Sequence, residues 1–216
     1  MIFALLPVKA PGNAKQRLSG WLSAAQREAL ARAMFEHVLE TLCAARGLDQ
    51  IAVATSDEIA AERARRAGAL VFREREQISH SHSADAAAQR AAQLGARTVI
   101  MVPIDAPLVT PAEVEALVTG ADVPLAIVPS ADGTGTNALV RTPPDVIESR
   151  FGKNSFRAHV EQAQAKGIEI RVLRPPGLVF DLDTPDDAAE LLARAPDCRT
   201  ASLLRAQLGS RWMFGS

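Results

Sequence analysis

Two cysteines in 216 residues are too few for a disulfide framework. Cys43 and Cys198 are far apart and Cys43 sits in a helical pattern, so reduced thiols in the cytoplasm are the simple reading. No Cys/His cluster has zinc spacing. No apolar run approaches the roughly 20 residues that cross a bilayer, which excludes a spanning helix. The opening "MIFALLPVKAPG" lacks a basic leader and is too short for a signal peptide, so it reads as a first strand. Excess charge of one sign is also missing. A net charge of -1 argues against nucleic acid as a bulk partner. There is no Ser/Gly-rich linker, internal repeat or low-complexity segment. Residues 1–216 therefore read as one domain, with a tail from about 195 that packs on that domain or on a partner subunit.

What is present is alternation. Short apolar runs at 2–8, "QIAVAT", "ALVFR", "TVIMVP", "PLAIVP", "ALVR" and "IEIRVL" read as strands. Between most of them lie helical patterns: "SAAQREALARAMFEHVLETLCAARG" with a Ser23/Gln26 capping box, "DEIAAERARRAG", "ADAAAQRAAQLG", a helix capped by Thr110, "NSFRAHVEQAQAKG" and "PDDAAELLARA". Strand–helix alternation implies an α/β fold, a mainly parallel sheet sandwiched by helices. Ligands of such sheets bind beyond the carboxyl ends of the strands, so the residues there carry the functional reading.

After the first strand, "PVKAPGNAKQRLSG" crowds Lys9, Lys15 and Arg17 into a Gly/Pro loop. Such a loop can hold phosphates, although it is neither a Walker A loop nor a Rossmann fingerprint, and a solvated basic loop has the same composition. After the fourth strand, Asp105 can ligate a hard cation or close a turn. In "LVFDLDTPDD", Asp181 and Asp183 alternate and would point the same way in extended backbone. Like carboxylates on one side repel unless a cation or proton lies between them. Asp186 and Asp187 look like a helix start. The same stretch fits the opening of haloacid-dehalogenase-type phosphatases, but those need a lysine and carboxylates far downstream, and only 33 residues follow Asp183. "ESRFGKNSFRAHV" places Gly152, Lys153 and Ser155 ahead of a helix, either an anion site or a capped surface helix with Asn154 or Ser155 as cap. "DGTGTNAL", between two strands, is either a turn or a backbone cradle for an anion. His80 and His82 read as exposed loop histidines.

In combination, "PVKAPGNAKQRLSG", "VPIDAPLVTPAEV", "DGTGTNAL", "RFGKNSFRAHVEQAQAKG" and "GLVFDLDTPDD" resemble, in that order, the phospholactate and phosphoenolpyruvate guanylyltransferases. This is a branch of the Rossmann-like, GT-A-type nucleotidyltransferases that serves coenzyme F-420 biosynthesis. The resemblance spans residues 3 to about 194. It implies transfer of GMP from GTP to a small phosphorylated carboxylic acid, with release of pyrophosphate. It implies magnesium on Asp105, Asp181 and Asp183, with Asp105, Asp183 and Lys15 catalytic. Thr136, Gly152 and Ser155, with Gly135 and Asn137, would hold the acid, and "DGTGTNAL" would then be a cradle whose small residues let backbone donors approach it, with Thr136 adding a hydroxyl. Lys9, Lys15, Arg17 and Ser83 would face the nucleotide. Two segments depart from the family's usual pattern. "SHSADAA" replaces a usual "LN-x-A-L", which makes His82, Ser83 and Asp85 candidates for tuning the base or acid. "PIDAPLV" replaces "PADLPLL".

Chemically, an acceptor phosphate is already ionised at neutral pH, so positioning and charge neutralisation suffice and no strong base is required. 2-Phospholactate, phosphoenolpyruvate and 3-phosphoglycerate all fit such a site. The alternatives are a nucleotidyltransferase for a sugar phosphate or molybdopterin, or a non-catalytic nucleotide sensor. Leu203, Leu204, Leu208, Trp212, Met213 and Phe214 make the tail apolar, which leaves a homodimer open.

Overall fold

The structure is a computed structural model and describes residues 1–9, 14–74 and 79–208. Among these, seven strands form one sheet in the order β3-β2-β1-β4-β6-β5-β7. The strands are β1 (Ile2–Val8), β2 (Gln50–Thr55), β3 (Leu70–Arg73), β4 (Thr98–Met101), β5 (Leu125–Pro129), β6 (Thr136–Arg141) and β7 (Ile170–Val172). β1, β2, β3 and β4 pair in parallel, as do β5 and β7. β6 runs antiparallel to both β4 and β5. The sheet is therefore mainly parallel, as expected, with one reversed strand that composition could not reveal.

The helices are α1 (Ala24–Ala44), α2 (Glu58–Arg66), α3 (His80–Gln93), α4 (Pro111–Thr119), α5 (Ser155–Ala165), α6 (Pro176–Val179), α7 (Pro185–Arg194) and α8 (Arg199–Leu208). Strand residues alternate between two cores because successive side chains point to opposite faces. Ala4, Leu6 and Val8 of β1 join Phe35, Val38, Leu39 and Leu42 of α1. Phe3 and Leu5 join Ala84, Ala87 and Ala91 of α3. A sheet covered on both faces needs near-continuous apolar strands, which is why each strand was legible as a plain run. The Ser23/Gln26 and Thr110/Glu113 capping boxes are formed.

Three local readings change. The loop "ISHSHS" is helical from His80, because the Ser79 hydroxyl accepts from the His82 amide and starts α3 early. Asn154 occupies the cap position of α5 without a side-chain cap bond. Helix α8 went unread in the sequence. Its Leu204 and Leu208 are buried with Leu30 and Met34 of α1 and Leu191 of α7, and Leu203 packs beside them. Trp212, Met213 and Phe214 lie outside the described residues. No helix among the described residues is long and apolar enough to cross a membrane.

Candidate active site

The reversal of β6 has a functional consequence. Its first residue, Thr136, lies at the sheet edge where parallel β1 and β4 end. Loops from both directions meet there around a cleft of about 710 Å³. Arg17, Asp105, Ser130, Asp132, Gly135, Thr136, Asn137, Phe151, Gly152, Lys153, Ser155, Asp181 and Asp183 line it. A second cavity of about 580 Å³ is lined by Lys9, Lys15 and Ile104 and shares His80, Pro103, Asp105 and Asp183 with the first. A larger groove, about 960 Å³, opens between α1 and α2, away from these groups.

Lys15 connects the basic loop to the carboxylates. It ends the loop after β1 in the left-handed region, φ 50 and ψ 46. That conformation costs a non-glycine residue roughly 1–2 kcal/mol. Its side chain is buried, and Nζ lies 2.7 Å from Asp183 Oδ1 and 3.2 Å from Asp105 Oδ2. Burial opposes the Lys15 charge, but the two carboxylates outweigh it and raise its pKa. Burial likewise works to raise Asp105, and the Lys15 ammonium outweighs it, leaving that pKa lowered. Arg17 is exposed, 3.8 Å from Asp183 Oδ2, so this contact adds little stability.

Among the described residues, no such cation pairs with Asp181. Burial, then the Asp105 and Asp183 charges, push it up to about 6. Asn137 Nδ2 donates to the carbonyls of Leu178 (2.9 Å) and Val179 (3.0 Å) and lies 3.4 Å from Asp181 Oδ1. Asn137 thus holds the Asp181 segment in place, and its amide is committed rather than free for a substrate. The Leu182 amide donates to the Asp105 carbonyl at 3.0 Å, which ties the two acidic segments together. Among the described residues, no three ligating side chains form a ready-made metal cluster.

The loop "DGTGT" is a turn that spends three of its amides on itself. The Gly133 amide donates to the Ser130 carbonyl, Thr134 to Asp132 Oδ1, and Gly135 to Ser130 Oγ at 2.7 Å. The Ser130 hydroxyl, then the Thr134 amide and hydroxyl, hold Asp132 down to about 2. Those three amides are therefore not free to form the expected cradle. Glycine is needed at 135 for another reason: a Cβ there would stand 2.8 Å from Ser130 Oγ. Gly135 still lines the cleft, and so do Gly152 and Ser155.

The segment departing from the family pattern divides. Ser83 is buried and lines neither cavity. Asp85 points inward, accepting from Arg141 Nη1 (2.7 Å) and from the Ser149 amide and hydroxyl. Those bonds leave it a structural anchor. His82 is exposed. His80, read from sequence as an exposed loop residue, instead faces both cavities. Burial lowers its pKa, against the Asp105 charge and with help from Lys9. Its ring meets Phe151 edge-on at 4.8 Å. Sequence reasoning gave no role to His80, Asp132 or His159. A Ser with a polar residue three positions later was the available signal for His80.

A solved protein from Desulfovibrio desulfuricans G20, described as a nucleotide-diphospho-sugar transferase, superposes with a TM-score of 0.76 at 20% identity, covering 95% of this chain and 94% of that one. The fold is thus the GT-A-like fold of nucleotidyltransferases. Residues 2–210 match the family described as "Guanylyl transferase CofC like", and the chain belongs to that family. The phosphoenolpyruvate guanylyltransferase of Sphaerobacter thermophilus is 36% identical over 194 residues, 89% of this chain and 93% of that protein. The 3-phospho-D-glycerate guanylyltransferase of Colwellia psychrerythraea is 33% identical over 190 residues, 88% and 90% respectively.

Proposed function

We propose that this protein transfers GMP from GTP to the phosphate of phosphoenolpyruvate, 3-phosphoglycerate or 2-phospholactate and releases pyrophosphate. The observation that carries this reading is the convergence of Asp105, Asp181, Asp183 and Lys15 where a cation-lined cavity meets the Thr136 cleft. The first two acids are those named for the relatives. 2-Phospho-L-lactate is the acid named for a further relative, from Methanothermobacter thermautotrophicus, and the coenzyme F-420 setting and a cytoplasmic location follow from the motif resemblance.

The smaller cavity, with Lys9 and Lys15, suits the nucleotide phosphates, and Arg17 extends the basic lining at the cleft mouth. Ser83 has no part in this arrangement. The cleft beside Thr136, Gly152 and Ser155 suits the acid. An acceptor phosphate oxygen attacks the α-phosphorus of GTP, forming the new P–O bond as the bond to pyrophosphate breaks. The acceptor oxygen is already ionised, so the residues position the reactants and no base is needed. Lys15 stabilises the departing negative charge.

A divalent cation fits the acidic side. The donors are all oxygen, and Asp181, which Lys15 does not contact, is raised first by burial and then by the Asp105 and Asp183 charges. Asp105, Asp181 and Asp183 would hold magnesium, which supplies charge neutralisation at the phosphates.

The test is pyrophosphate release from GTP and magnesium with each acid separately, with a mass spectrum of each product. A guanylylated product with one acid is expected. No product with any acid, and none with ATP or CTP, would refute the reading.

A further inference from the structure

His159 is fully buried, yet both ring nitrogens have polar partners. Nε2 lies 2.8 Å from the backbone nitrogen of Arg150. A backbone N–H can only donate, so Nε2 must accept and carries no proton. A neutral imidazole has one N–H, and it must then be on Nδ1. Nδ1 lies 3.0 Å from Thr136 Oγ1. The ring therefore donates to the threonine oxygen. The hydroxyl proton of Thr136 is not consumed by that bond, and Thr136 lines the cleft.

We propose that His159 is a positioning residue: its neutral Nδ1–H tautomer occupies the Thr136 oxygen and turns that hydroxyl's proton toward the cleft, as a donor for the anionic acceptor. The inference rests on the acid-binding reading of the cleft given above.

The reverse tautomer fails on geometry. It would set the Nε2 proton against the Arg150 amide proton. It would also draw the Thr136 proton back onto Nδ1, leaving an oxygen lone pair to face an anion. An imidazolium has the same clash at Nε2. The surroundings oppose that form too: burial first, then the nearby Arg141, hold the His159 pKa down to about 4. Asp85 acts in the other direction, and Arg150 adds to Arg141. The Phe151 ring meets the imidazole edge-on, with centroids 5.4 Å apart, and limits its rotation. Phe151 itself is anchored by its amide, which donates to Ser81 Oγ at 2.9 Å. The donor bond is thus set from outside the cleft by the Arg150 main chain.

The direct test uses the unmodified protein. Nitrogen-15 NMR of the labelled histidines at neutral pH, assigned with single-site variants, should show His159 protonated at Nδ1 and bare at Nε2. A proton on Nε2, or on both nitrogens, overturns the proposal. Two substitutions then separate positioning from packing. His159→Asn places an amide N–H near the Nδ1 position, whereas His159→Gln places its amide near Nε2. The Asn variant should keep the acceptor KM within about threefold. The Gln variant should raise it roughly ten- to a hundredfold, with the GTP KM unchanged, as expected when a hydrogen bond to a charged group is lost. Adding Thr136→Val to the Gln variant should cost nothing further. Equal damage by both substitutions, or a parallel rise in the GTP KM, would mean a purely structural role. Calorimetric titration of each acid into wild type and His159→Gln reads the same difference without turnover. A wild type that binds acid but forms no guanylylated product refutes the transfer reading alone.

Discussion

The glycine loop after β5 and the acidic cluster beside it line the same cleft but are built oppositely. In the loop, Gly133, Thr134 and Gly135 all donate inward, and Asp132 is held down to about 2 by neighbouring donors. In the cluster, Asp105 and Asp183 share one buried lysine, while Asp181, which that lysine does not contact, is driven up to about 6. The loop is a satisfied scaffold. The cluster retains charge that the protein does not balance by itself, and such imbalance is where a ligand gains most. The region that looked most like a ligand cradle by composition is thus the more self-contained of the two.

Removing charge from the cluster should have the largest effect. Asp183→Asn should reduce turnover by roughly 10²–10³-fold, the usual scale for losing one preorganised electrostatic group, measured by steady-state pyrophosphate release. GTP binding that is the same in wild type and variant, with no turnover in either, would instead favour a sensor. Disturbing the loop should cost stability before chemistry. Gly135→Val puts a Cβ within 2.8 Å of Ser130 Oγ, and overpacking of this kind costs about 1–3 kcal/mol, read from urea unfolding. Unchanged stability with a raised acceptor KM would return the loop to the cradle role.

Smaller effects come from titration. The folded pKa of His159, about 4, lies below its ordinary 6.5, so the unfolded chain binds the extra proton first. The stability this contributes is present above about 6.5 and lost as pH falls through about 4, up to about 3 kcal/mol in all. His159→Gln should flatten that slope. Asp181 has the opposite sign. Its folded pKa is raised above the ordinary 3.8, so its contribution is present below about 3.8 and lost as pH rises through about 6. Asp181→Asn should therefore stabilise the cation-free protein near pH 7.5 by about 1–2 kcal/mol while impairing activity. A destabilised Asp181→Asn variant would show that the carboxylate is balanced after all.

The strands and most helices were legible because the sheet is buried on both faces and capping signals such as Ser23–Gln26 and Thr110–Glu113 are local. The direction of β6 was not, since an apolar run carries no polarity. Helix α3 starts earlier than the alanine-rich pattern suggests because Ser79 caps it, and this moves His80 from a loop into the cleft wall. The carboxylates were legible from their places after strands. The use of donors was not. Nothing in "DGTGTNAL" shows that Asp132 and Ser130 consume the amides, or that the Asn137 amide serves the carbonyls of α6 (Pro176–Val179). His159 stood in a quoted motif, but its role depends on an Arg150 amide that only the fold brings to it.

The acidic cluster, as read here, holds excess negative charge suited to a cation. Its most direct test is the melting temperature of wild type and Asp181→Asn, with and without magnesium, at pH 7.5 and pH 5. A magnesium-dependent rise is expected in the wild type, large at pH 7.5, weak at pH 5, and much reduced in the variant. A wild type indifferent to magnesium at both pH values, or a variant that responds as strongly, would contradict it.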